Sequence, residues 1–413
     1  MKRASMISGV AVLLLCVLAT VSCGFDAGVS ARNKADIDSV AAGNNSFAFD
    51  LYSRLARGEG NVFFSPYSIS SALAMTYAGA RGETAKQMAH VLHFSLAPER
   101  LHAALSDLTA MFNDPGRAAY SLSVANALWG QVGYTFRPEF LDIAGRYYGA
   151  GFKEVDYIDD ANREQTRQTI NGWVEAKTNN KIKDLIKPYD LTALTRLVLT
   201  NAIYFKGKWE FQFKPENTKT MPFHISDEEQ ADVPMMHQMA EFRYAENDQV
   251  QILEMPYTGG DLSMVILLPK PGYGIEALEG TMCPENTRSW LSQLSREKVE
   301  VFLPRFKLET RLLLNGGLQD LGMIDAFDEY AADFSGMTPG RDLYISKVIH
   351  QAFVEVNEEG TEAAAATAVM MSGKSILLDV PPVFRADRPF AFLIRDLRSG
   401  SILFMGRLVD PRG

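Results

Sequence analysis

This chain predicts an α+β fold with a large mixed sheet, on three observations. Its first half is dominated by apolar residues at three- and four-residue spacing and its second half by short apolar runs between turn residues. No Pro/Ser-rich linker, low-complexity tract or repeat divides the two halves. With 413 residues, 47% hydrophobic and 22% charged, the chain can bury a substantial core. One large domain is expected, over residues 40–411.

The N-terminus differs in kind. Lys2 and Arg3 precede an apolar run of about fifteen residues and then small residues before Cys23, the layout of a secretory signal over residues 1–22. The run is shorter than the ~20 residues a membrane-spanning helix needs. "ATVSC" also resembles a bacterial lipoprotein processing site, with Cys23 as the lipid-modified first residue, although Thr20 stands where Leu is usual. Simple cleavage and release is the alternative. A terminus at Cys23 removes two cations, takes the net charge from −9 to −11 and leaves only Cys23 and Cys283, so no structural disulfide is expected. Residues 24–39, small and polar, read as part of a tether over 23–39.

The elements follow in order. "SFAFDLYSRLA" (46–56), "SPYSISSALAMTYAGA" (65–80) and "NREQTRQTINGWVEAKT" (162–178) place apolar residues at helical spacing behind capping residues. Strands are expected at 196–205, 249–257, 262–269, 298–309, 348–360, 389–396 and 401–411. Several are apolar on both parities, as strands buried on both faces must be.

Composition and motifs exclude several functions. A net charge of −9 and the lack of a dense Lys/Arg stripe argue against nucleic acid as a partner. His90 and His93 have the spacing of two metal ligands but no evident third, so no metal or other cofactor is expected. The sequence has no Gly-x-Ser-x-Gly elbow, phosphate-cradling loop or dinucleotide fingerprint. A catalytic triad can form from residues distant in sequence, but nothing recommends one here.

Five blocks resemble the signatures of the serpin family: "NVFFSPYSISSALAMTYAGARGETAKQM" (61–88), "TNAIYFKGKWEFQF" (200–213), "VNEEGTEAAAATAV" (356–369), "ADRPFAFLI" (386–394) and "LFMGRLVDP" (403–411). They occur in family order. The resemblance implies three β-sheets, eight or nine helices and an exposed reactive-centre loop, about 358–382. It also implies a suicide-substrate protease inhibitor rather than an enzyme: the protease attacks the loop, which then inserts as a new strand of the main sheet and drags the acyl-enzyme with it.

The loop can be tested against that task. A strand has period two, so alternate residues must enter the core. The implied hinge is Gly360, Thr361, Glu362, Ala363, Ala364, Ala365, Ala366 and Thr367. One face, Thr361, Ala363, Ala365, Thr367, Val369 and Met371, is small or apolar. The other carries Glu362, the hinge's only charge, and a slip of one residue would bury that carboxylate unpaired. Residues 360–380 contain no proline, so no ladder donor is missing. Counting from the hinge puts the reactive bond at Lys374–Ser375, and Lys374 suits the primary pocket of a trypsin-like protease. Counting back from "RPF" shifts the cut toward Leu378. Met370 and Met371 are candidates for chymotrypsin- or elastase-like enzymes, cysteine proteases are a further alternative target, and a non-inhibitory binding or chaperone-like serpin is the alternative function.

The resemblance further implies a buried polar shutter of Ser65, Ser68, Asn201 and His350. It implies a breach of Trp209, Arg305 and Glu358 where the loop enters. Residues 98–117 lack the basic stripe that binds glycosaminoglycans in some relatives. The expected protein is an exported, cell-envelope or secreted monomer, touching membrane only through a lipid at Cys23, with loop–sheet polymers as its mode of self-association.

Overall fold

The computed structural model describes residues 23–113, 120–149, 152–361 and 380–412. The leader and residues 362–379, with the Lys374–Ser375 bond, lie outside the described residues, as do the hinge positions from Glu362 to Thr367.

Nine α-helices are described: α1 (Cys23–Leu55), α2 (Pro66–Tyr77), α3 (Gly82–Val91), α4 (Pro98–Phe112), α5 (Pro138–Tyr148), α6 (Asp160–Lys177), α7 (Ile275–Glu279), α8 (Pro284–Ser292) and α9 (Asn315–Asp320). The strands are β1 (Val62–Phe64), β2 (Tyr120–Gln131), β3 (Phe152–Val155), β4 (Leu197–Lys208), β5 (Lys219–His224), β6 (Gln230–Glu246), β7 (Val250–Pro256) and β8 (Leu262–Pro269). They continue as β9 (Ser295–Pro304), β10 (Phe306–Leu313), β11 (Lys347–Val356), β12 (Gly360–Thr361), β13 (Val383–Arg385), β14 (Phe390–Asp396) and β15 (Ile402–Leu408).

Six of these strands form one sheet in the order β10-β11-β12-β4-β2-β3. The other nine are joined as a second, in which β5, β6, β9 and β13 connect to the β7-β8-β14-β15-β1 section only through the short β6–β7 pairing at residues 243–246. The narrow junction separates the larger sheet into two sections, giving three sheet layers in all.

Both faces of the six-stranded sheet are covered, which explains the unbroken apolar reading of β4. Ile203 and Phe205 of β4 face a core shared with the larger sheet, whereas Val198, Ala202 and Tyr204 face α6 and the segment after it. Beneath the first face lies α2, buried from Pro66 to Thr76. It starts where its sequence dictates: Ser65 caps it by accepting from the Ser68 amide, and Pro66 stands where no intrahelical donor is needed.

Three expectations change. The described residues expected in a tether are part of α1, and Asp36 is buried against Arg100, whose Nε donates at 3.0 Å. A polar composition hid this helix, because its contacts are long-range: besides the Asp36–Arg100 pair, Ile37 and Val40 pack into the core and the Ser39 hydroxyl lies 2.9 Å from that of Ser95. The strand expected at 298–309 is broken at Arg305: β9 and β10 belong to different sheets, and the Arg305 amide makes a last bond to β6, at the Pro234 carbonyl at 2.8 Å, before the chain passes into β10. The strand expected to reach Gly360 stops at Val356, where a turn reverses the chain into β12. Asn357 closes that turn, its amide donating to Gly360 O at 2.9 Å and its Oδ1 accepting from the Glu359 amide at 3.1 Å.

Candidate functional site: the slot between β4 and β11

Strands β4 and β11 run parallel and pair directly from Val198–Lys347 to Tyr204–Phe353. Beyond Tyr204 they diverge, and β12 stands between them, antiparallel to both: Gly360 opposite Lys208, and Thr361 opposite Gly207 and Val356. The chain that leads into the loop thus already occupies the mouth of a slot closed below it. The approach is close enough to demand glycine, since a Cβ on Gly360 would lie 2.1 Å from the Gly207 carbonyl oxygen. Thr361 is fully buried with its hydroxyl 2.8 Å from that of Tyr257, so the face predicted to turn inward does so at its first position.

The three expected breach residues meet around this mouth. Trp209 is buried, stacks on Tyr257 with centroids 4.6 Å apart and donates through Nε1 to Asn357 O at 3.0 Å. Its amide and that of Phe213 bind the Glu359 and Glu358 carbonyls at 2.9 and 2.8 Å, anchoring the turn's backbone. The buried Glu358 carboxylate accepts from Arg305 Nε at 2.7 and 2.8 Å and from the Thr218 hydroxyl. Burial pushes this carboxyl up, but the hydrogen bonds from Arg305 and Thr218 outweigh it and hold it below the usual glutamate value. At pH 7 it is therefore a charged clasp between β10's approach and the hinge.

The four expected shutter residues also converge, at the middle of the β4–β11 pairing. His350 and Asn201 are register partners and both fully buried. The Ser65 amide donates to His350 Nε2 at 3.1 Å, so the ring's proton is on Nδ1, which donates to Asn201 Oδ1. Asn201 Nδ2 in turn donates to Ser68 Oγ at 2.5 Å, and Ser65 Oγ donates to Leu403 O at 2.6 Å. Burial holds the imidazole down, to about 3, against the opposing pull of Asn201. A neutral ring is what this geometry requires, because an imidazolium would lose its acceptor toward Ser65.

Sequence reasoning missed three participants. Asn126 of β2 accepts from Ser68 Oγ at 3.2 Å and from Asn201; a lone amide in the apolar run "SVANALWG" was the available signal. Thr218 and Tyr257 carried no signal, since they reach the site only through the meeting of separate sheets. Elsewhere, His93 pairs with Asp50 at 2.7 Å, and among the described residues no group of three or more His, Cys, Asp or Glu is placed to hold a metal ion. Cys283 is a free thiol at the start of α8.

The chain is similar to known proteins over most of its length. A family model described as Serpin (serine protease inhibitor) matches residues 42–411. The human leukocyte elastase inhibitor is 43% identical over 385 residues, covering 91% of this chain and 100% of that one. An uncharacterized serpin-like protein of Thermococcus kodakarensis is 44% identical over 369 residues, 89% of this chain and 85% of that protein. Among solved structures, uncleaved ovalbumin superposes with a TM-score of 0.82 at 33% identity, covering 90% and 100% of the two chains. Human thyroxine-binding globulin does so with 0.83 at 31%, covering 91% and 99%. On fold and sequence alike, the chain belongs to the serpin family of serine protease inhibitors, which inhibit as suicide substrates and not as enzymes.

Proposed function

We propose that this serpin covalently traps trypsin-like serine proteases after cleavage at Lys374–Ser375. The observation that carries the proposal is Thr361, buried between β4 and β11 with the loop's predicted parity. Continuing the two observed registers by strand geometry gives the inserted state. Ala363 and Ala365 would face the core opposite Phe205 and Ile203, and Thr367 would stand between Asn201 and His350, the pair whose hydrogen bond must open. A hydroxyl there can donate to one and accept from the other, so the shutter is satisfied both closed and open. Val369 and Met371 would complete the strand opposite Leu199 and Leu197, leaving three residues to reach Lys374. Glu362, opposite Lys206, stays off the core face.

A cut at Met370, Met371 or Leu378 is the second reading, favoured by the names of the relatives called leukocyte elastase inhibitors. A binding role without inhibition is favoured by the printed name of thyroxine-binding globulin, solved with its ligand. Incubation with trypsin separates the three. An SDS-stable adduct with release of a peptide beginning at Ser375 supports the proposal. An adduct formed only with elastase moves the cut, and clean cleavage with trypsin and elastase both still active removes inhibition altogether.

We further propose that the leader is an export signal and Cys23 the lipid attachment site, with cleavage and release without a lipid as the alternative. Incorporation of labelled palmitate by the wild type and its loss in Cys23→Ser test that assignment; equal labelling of both would overturn it.

A further inference from the structure

Opening the slot must part β4 from β11 by a strand width, about 4.8 Å. The segment at 178–196, between α6 and β4, lies across the outer face of both strands. Its Ile182, Leu185, Ile186 and Leu191 share one buried cluster with Ala202 and Tyr204 of β4 and with Ile349 and Phe353 of β11. On one side the segment is fastened to α6: Asn171 Nδ2 donates to Ile186 O at 2.9 Å, and the Ile186 amide returns to Asn171 Oδ1 at 2.8 Å.

On the far side of the slot the fastening is ionic. Asp190 accepts from Lys347 Nζ of β11 at 3.2 Å and pairs with Arg311 of β10, whose Nε also donates to Leu185 O at 2.8 Å. The carboxylate is also positioned from within, by the Lys187 amide at 2.7 Å. Its side chain is only 17% exposed and those of Arg311 and Lys347 about a quarter, so water screens these contacts weakly. Asp190 is thus covalently part of the α6–β4 side and electrostatically held by the β10–β11 side.

We infer that Asp190 is a positioning residue that staples the slot shut and sets the rate at which it opens, and with it the partition of the acyl-enzyme between trapping and hydrolysis. The inference rests on the insertion reading above, but its test needs no protease. A fluorescent peptide with the sequence of residues 361–371 serves as a strand supplied from outside, and its uptake by the intact protein is timed. Asp190→Asn keeps the acceptor for Lys187 and removes the charge; Lys347→Met removes only the β11 partner. Asp333→Asn is the control, a mostly buried carboxylate paired with Arg341 at 2.8 Å away from the slot.

Uptake about five- to tenfold faster in both slot variants, with Asp333→Asn at the wild-type rate, is the expected result. Wild-type uptake matched by Asp190→Asn overturns the staple and leaves the insertion reading standing. Equal acceleration by Asp333→Asn also overturns the staple, as general loosening. A wild type that takes up no peptide refutes insertion itself, and the staple with it.

Discussion

Replacing Glu358 by lysine should open the breach and convert monomer to loop–sheet polymer. Removing one partner of a buried ion pair costs about 3–5 kcal/mol, because the other charge is left uncompensated. Here Arg305 is 44% exposed and water can solvate part of it, so about 2–3 kcal/mol is appropriate. The lysine adds a second cation facing Arg305 and cannot accept from Thr218. At about 1.4 kcal/mol per tenfold, the open mouth becomes roughly 30- to 150-fold more populated. Warming below the unfolding transition and reading monomer by size-exclusion chromatography gives the answer: steady loss of monomer in Glu358→Lys, with Glu358→Gln intermediate. A monomer fraction equal to wild type in both, with unchanged peptide uptake, would refute the claim that this carboxylate clasps the mouth.

Two further outcomes follow from the same geometry. The His350 imidazole stays neutral in the fold down to about pH 3, whereas the unfolded chain takes up that proton near 6.5. The unfolded state therefore binds more protons between these values, and stability must fall as pH drops from 6.5 toward 3, by about 1.4 kcal/mol per pH unit for this group. Thermal melts from pH 7 to 4 should show a shallower slope in His350→Gln by about one proton; an unchanged slope would contradict the assignment. Gly360→Ala should displace β12 from β4, since its Cβ would meet both the Gly207 carbonyl and Lys208 Cα. The stoichiometry of protease inhibition should then rise severalfold with folding intact, and an unchanged stoichiometry would show that the close approach is dispensable.

The sequence exposed the slot's chemistry better than its geometry. Ser65 and Pro66 announce α2 because capping is local, and the apolar run of β4 announces burial on two faces because it lacks a polar parity. The shutter and breach residues were legible only through the serpin resemblance. Asn201, His350 and Ser65 are far apart in the chain, and no local pattern says that one hydrogen-bond network joins them. The break at Arg305 was invisible for the same reason: β9 and β10 are each good strands, and only the separation of two sheets forces the chain to leave one for the other. Asn126 shows what a closer reading could have recovered, an amide with no local partner in an apolar strand.

The claim that this fold is a spring-loaded trap is tested most directly by the product formed with trypsin. Mixing equimolar protein and trypsin and analysing by denaturing gel and mass spectrometry should give an SDS-stable adduct and a released peptide of residues 375–413. Full conversion to a cleaved inhibitor beside fully active trypsin, with no adduct, would contradict it.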